Sequence, residues 1–185
     1  MPSLFETFRA RAEAVSAEVH RVESVSAARA FILSFLIAEG VADQPRAYAV
    51  CEGGSLLGDT HHRALALAVP GLRFDVTRET AEAAKVGISQ VEWGIAATGT
   101  LVTDATAVER RLVSALPSIH IAILPTAAIQ PDMAAVFTQA GPRRSAYLSM
   151  ITGPSRTADI ERVLTIGVHG PARVVIVCVD NMGSN

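Results

Sequence analysis

"RVVIVCVD", residues 173–180, is an apolar run from Val174 to Val179 closed by an arginine at one end and an aspartate at the other. A strand with one wet face alternates apolar and polar residues, whereas an unbroken apolar run belongs inside a parallel sheet covered on both faces. This stretch therefore decides the fold class: α/β, with a layered, mostly parallel sheet and helices on both faces. Upstream, "AYAVC" (47–51), "LRFDV" (72–76), "HIAILP" (120–125) and "AYLSMI" (146–151) read as further strands. Helix-like "HHRALALAV" (61–69) and "RETAEAAK" (78–85) alternate with them, the rhythm of a doubly wound sheet. "VEWGIAATGTLVTD" (91–104) reads as two strand pieces about a glycine turn, and a helix after Pro131 is expected to turn Met133, Val136 and Phe137 inward.

The N-terminal end has a different period. Leu4, Phe8, Ala12, Val15, Val19 and Val22 recur every three or four residues, which predicts an amphipathic helix within residues 1–24, ahead of a single α/β domain over 25–185. A second helix is expected from an N-cap at Ser26 to a stop at Gly40, with Phe31, Ile32, Phe35 and Leu36 in its apolar body.

Composition excludes several function classes. Half of the 185 residues are hydrophobic, enough to build a core. With 16 Lys+Arg against 18 Asp+Glu, the net charge of -2 offers no field for a phosphate backbone, so no nucleic-acid partner is expected. The densest apolar stretch, "AFILSFLIA" (30–38), is far short of the roughly 20 residues that span a bilayer, and no membrane span is expected. "MPSLFETFRARAEAV" has no continuous apolar segment or small-residue cleavage site, which points to a cytoplasmic location. Cys51 and Cys178, each inside an apolar run, are too few to hold an iron-sulfur cluster in this chain or to close a zinc site. His61 and His62 are adjacent and match no metal-ligand spacing, so no metal site is expected.

Three loops are rich in groups that hold ligands. In "SMITGPSRTADIE" (149–161), Thr157 is a natural N-cap, and Asp159 and Glu161 suit the first turn of a helix. Gly153, Ser155 and Arg156 are not explained by that helix. A strand end, a glycine turn and a helix start together make a recess of backbone N–H groups that suits an anion; an ordinary β-to-α turn uses the same residues without binding anything. In "GVHGP" (167–171), Gly167 and Pro171 end the helix, and His169, beside Gly170, is a candidate proton-exchanging residue or a solvated loop histidine. In "GIAATGTLVTD" (94–104), Gly99 would let backbone approach a ligand while Thr98 and Thr100 present hydroxyls.

Taken in order, "GIAATGTLV", "RRLVSALPSIHIAIL", "ITGPSRTADIE" and "TIGVHGPARVVIVCVD", over about residues 86–180, resemble the lactate-utilization protein C family, also called the LUD domain or LutC/YkgG family. The resemblance implies a fold like that of the NagB/RpiA/CoA-transferase superfamily. It also implies a part in oxidation of L-lactate to pyruvate beside iron-sulfur partner proteins, with this chain a non-redox component. The positions that match the family's motifs are Thr98, Gly99, Thr100, Gly153, Pro154, Ser155, Arg156, Thr157, Asp159, Glu161, Gly167, His169, Gly170 and Pro171. None brings an established catalytic role. Ala97 stands where many relatives carry an acidic residue, which removes a candidate general base. The resulting expectation is an anion pocket in which Arg156 grips a carboxylate or phosphate, Thr98 and Thr100 orient it, and His169 exchanges a proton. An assembly subunit without a small-molecule site, and an isomerase or acyl-transferase suggested by fold analogy alone, are the alternatives. The cofactor is unknown, and a homo-oligomer is possible on this reading.

Overall fold

The computed structural model describes residues 2–52, 62–140, 145–156 and 170–182. Helix α1 (Leu4–Ala14) opens with a capping box: the Glu6 N–H donates to Ser3 Oγ, and the Ser3 N–H donates to the Glu6 carboxylate at 2.7 Å. It stops at Ala14, short of the expected span, because Ser16 adopts a left-handed conformation with φ 70° that a helix cannot continue through. The chain then forms strand β1 (Glu18–Ser24), paired in parallel with β10 (Arg173–Asn181). Val19 and Val22, which extend the helical spacing on paper, instead point to opposite faces of the sheet: Val19 joins the core under α1, and Val22 packs toward α2 (Val25–Ala38). Arg173 ties this segment down, bonding Glu18 at 2.8 Å and Glu39 at 2.6 Å.

The main sheet has six strands, all paired in parallel, in the order β1-β10-β7-β4-β2-β3. The remaining members are β2 (Ala49–Cys51), β3 (Leu72–Arg73), β4 (Val86–Gln90) and β7 (Ile119–Pro125). Along β10 the side chains alternate between two cores. Val175, Val177 and Val179 pack with Ala28, Ile32 and Leu36 of α2 and with Leu65 of α3 (His62–Ala68). Val174, Ile176 and Cys178 pack on the other face with Phe5, Phe8 and Ala12 of α1. Both faces of this strand are therefore dry, as its sequence requires. Helix α2 begins two residues earlier than expected: Ser24 Oγ, rather than Ser26, accepts the capping bond from the Ala27 N–H at 3.2 Å.

A second, four-stranded sheet was not foreseen. The glycine-turn segment forms the hairpin β5 (Trp93–Ile95) and β6 (Thr100–Asp104), flanked by β8 (Ile129–Gln130) and β9 (Leu148–Ile151) in the order β8-β5-β6-β9. It lies with α1 over the β10 face that carries Cys178. Helices α4 (Arg78–Glu82) and α5 (Val108–Ala115) share a small core with Val50, and a Cβ at Gly87 would fall 2.0 Å from the Val113 carbonyl, so α5 presses directly on β4. Of the three residues expected to point inward from α6 (Met133–Ala140), only Val136 is buried; Met133 and Phe137 are nearly half exposed. The reason is local: α6 packs on the small sheet, where Val136 meets Ile95 and Val102.

Candidate functional site

The three loops picked out by composition meet in part. Thr98 Oγ1 lies 2.7 Å from Thr100 Oγ1, which lies 2.9 Å from Thr152 Oγ1, so a chain of hydroxyls joins the first turn to the second. The Ser155 N–H donates to the Pro171 carbonyl at 2.9 Å, joining the second turn to the third. Beside the second and third turns is a hollow of about 260 Å³ whose wall includes Ser114, Ser149, Thr152, Gly153, Ser155 and Gly170; Thr98, Gly99 and Thr100 of the first turn are not part of that wall. Its place is unexpected. The Ala172 N–H bonds the Ser118 carbonyl, which sets this rim at the amino ends of β7 and β10. The turn after β9 leaves a strand of the small sheet, so the rule that ligands sit over the carboxyl ends of parallel strands does not apply to it.

Two of the glycines serve a different neighbour from the one expected. A Cβ at Gly99 (φ +67°) would lie 2.2 Å from the Ala12 nitrogen, and one at Gly153 (φ +72°) would lie 2.3 Å from the Val15 carbonyl oxygen. Both glycines thus let the last turn of α1 approach, not a ligand. Arg156 is exposed and donates from Nη2 to Ser16 Oγ at 3.1 Å, and it is not part of the wall of the hollow. Thr157, Asp159, Glu161, Gly167 and His169 lie outside the described residues.

A second polar site escaped the sequence reading. Parallel-sheet connections diverge between β2, whose chain continues outward to β3, and β4, whose neighbour on the other side is β7. At the carboxyl ends of these two strands Glu52, only 3% exposed, accepts from the Gln90 N–H at 2.9 Å and from Arg110 Nε at 2.9 Å. Arg110 also bonds Glu92, whose second oxygen accepts from the Asp104 N–H at 2.7 Å. A hollow of about 490 Å³ lies beside Glu92, Asp104, Thr106 and Arg110. Burial pushes the Glu52 carboxyl up from its ordinary value, against the opposing pull of the Gln90 N–H and Arg110. Among the described residues the wall carries the Glu92 and Asp104 carboxylates and the Arg110 guanidinium, which is already paired with Glu52 and Glu92. The only sequence signal was a glutamate directly after a buried strand.

One more buried pair was missed. His120 on β7 is fully buried, with Nε2 2.8 Å from Ser89 Oγ on β4 and, among the described residues, no partner at Nδ1. Burial lowers its pKa from 6.5 to about 4, so the ring is neutral at physiological pH. Cys51 and Cys178 are both buried, and burial pushes the Cys178 thiol up to about 12, which leaves it unreactive. Among the described residues no group of three His, Cys, Asp or Glu side chains is placed to hold a metal ion, and no helix is long and apolar enough to cross a membrane.

Comparison with known proteins decides the family. The LUD domain profile matches residues 5–179, nearly the whole chain. The chain belongs to the LUD domain family. Among curated relatives, Lactate utilization protein C of Halalkalibacterium halodurans is 37% identical over 109 residues, covering 56% of this chain and 47% of that protein. Lactate utilization protein C of Bacillus subtilis is 39% identical over 111 residues, covering 55% and 45%. The uncharacterized protein YkgG of Escherichia coli is 36% identical over 107 residues, covering 55% and 46%. This LUD domain chain thus spans about half the length of the curated relatives it matches. In fold, it is similar to the crystal structure of a DUF162 family protein from Deinococcus radiodurans, with a TM-score of 0.64 at 18% identity over 95% of this chain and 96% of that one.

Proposed function

We propose that this LUD domain chain is a non-redox component of a lactate-utilization system that works beside iron-sulfur partner proteins and holds a small carboxylate or phosphate at the three-turn rim. Likeness to the lactate utilization proteins supports the pathway. The observation that carries the site is the linkage of the three turns through Thr100 to Thr152 and Ser155 to Pro171. In this reading Thr98, Thr100 and Ser155 orient the ligand, backbone at Thr157 and Gly170 adds contacts, and Arg156 supplies the charge. Gly99 and Gly153 shape the rim by admitting α1. His169 is the candidate for proton exchange.

Charge and geometry favour Arg156 as an anion receiver. Its bond to Ser16 has one ionised partner and uses one N–H, whereas a carboxylate or phosphate brings the opposite charge and can meet the planar fork with two parallel bonds, the stronger pairing. An arriving anion would outcompete or join the hydroxyl. Titration calorimetry of the isolated protein with L-lactate, pyruvate and inorganic phosphate tests this: saturable one-to-one binding of at least one is expected, and no binding of any of the three would refute the site.

An assembly role is the second reading, favoured by the tight seating of α1 on Gly99 and Gly153, which gives those turns a structural use. It predicts a stable complex with the iron-sulfur partners whose lactate oxidation is indifferent to Arg156→Ala.

A further inference from the structure

A long exposed arginine samples many rotamers, and an anchor for an anion works well only when its guanidinium is held in place beforehand. We infer that Ser16, in the turn after α1, is the positioning residue that holds Arg156; the inference rests on the reading of Arg156 as the anion receiver. Ser16 is one of two non-glycine residues with positive φ among the described residues, and its φ of 70° is a conformation that glycine or asparagine adopts more readily. The backbone alone would select one of those. The turn is closed by the Ser16 N–H on the Glu13 carbonyl at 2.9 Å and the Ala17 N–H on the Ala12 carbonyl at 3.0 Å, bonds that any residue in this conformation makes. What serine adds is a hydroxyl oxygen, and that oxygen accepts Arg156 Nη2 at 3.1 Å.

The two ends of this bond are locked together by packing. Gly99 lies against Ala12 and Gly153 against Val15, so two neighbouring turns of the rim hold successive points along the end of α1. Gly153 is three residues before Arg156, and Val15 is one before Ser16. The contact between Gly153 and Val15 therefore fixes the origin of the guanidinium relative to the hydroxyl that receives it. Among the described residues Ser16 Oγ takes one N–H of the guanidinium, and the other N–H groups of its fork are the ones a carboxylate or phosphate would meet.

Two variants separate positioning from backbone structure. Ser16→Gly relieves the left-handed strain and removes the acceptor; Ser16→Asn suits the same conformation and keeps an acceptor oxygen. The readouts are the exchange rate of the Arg156 Nη protons by NMR in the ligand-free protein, the thermal midpoint, and the affinity for L-lactate, pyruvate or phosphate. In Ser16→Gly the Arg156 proton is expected to exchange about fivefold faster and anion affinity to fall about fivefold, the effect of one modest hydrogen bond, while the thermal midpoint holds or rises. Ser16→Asn is expected to restore both to near wild type. An Arg156 exchange rate unchanged in Ser16→Gly overturns the positioning role. Absence of anion binding by the wild-type chain, with exchange still altered in Ser16→Gly, instead overturns the site reading on which it stands.

Discussion

Gly99 lies so close to Ala12 that a Cβ on the glycine would sit 2.2 Å from the Ala12 backbone nitrogen and 2.6 Å from its Cα. Neither atom can move without shifting α1, whose Phe8 and Ala12 are completely buried. Gly99→Ala combines a left-handed backbone with overpacking and is expected to destabilise by about 3 kcal/mol. Gly40→Ala is the control: φ is +69°, but nothing lies within 4 Å, and a loss of about 1 kcal/mol is expected. Urea unfolding of the two variants side by side checks the difference; equal losses would show that the seating of α1 carries no special constraint.

The Glu52 and Arg110 pair allows a sharper test of buried charge. Arg110→Met leaves Glu52 buried beside Glu92 without its counter-charge, and a loss of about 3–5 kcal/mol at pH 7 is expected. Glu52 already has a raised pKa, and losing Arg110 raises it further, so the folded state binds a proton more readily than the unfolded one. The loss should therefore shrink as pH falls toward 5, and Glu52→Gln in the same background should recover much of it. A pH-independent loss would assign the effect to packing.

His120 gives stability its acid limb. Its pKa is about 4 in the folded protein against 6.5 when unfolded, so between these values the unfolded chain binds a proton that the folded chain refuses. Stability is expected to fall as pH drops from about 6.5 to 4, by up to roughly 3 kcal/mol, and to be independent of this group above pH 7. His120→Gln should flatten that limb in urea unfolding at pH 4.5, 5.5 and 7; an unchanged slope would place the acid sensitivity elsewhere.

How much of this was legible in the sequence follows from the range of each interaction. The β10 run and the glycine-turn hairpin were readable because their signals are local: burial on both faces, and a break between two apolar pieces. The strand at Glu18–Ser24 was not, because Val15, Val19 and Val22 fit a helical period, and only pairing with β10, at the far end of the chain, selects the extended form. Arg156 and its neighbours were picked out by composition, but the hydroxyl that accepts from Arg156 comes from Ser16, and the partners of Gly99 and Gly153 come from α1. The Glu52, Glu92 and Arg110 network joins three segments with no common motif, so nothing short of the fold could assemble it.

The central claim is that Arg156 receives a small anion at the rim, and the most direct measurement is calorimetric titration of wild type, Arg156→Ala and Arg156→Lys with whichever of L-lactate, pyruvate or phosphate the wild type binds. Loss of one charged hydrogen-bonding group is expected to weaken binding by about 1.5–3 kcal/mol in Arg156→Ala, with Arg156→Lys recovering only part of it because a point charge cannot reproduce the planar fork. Equal affinity in all three proteins would contradict the account.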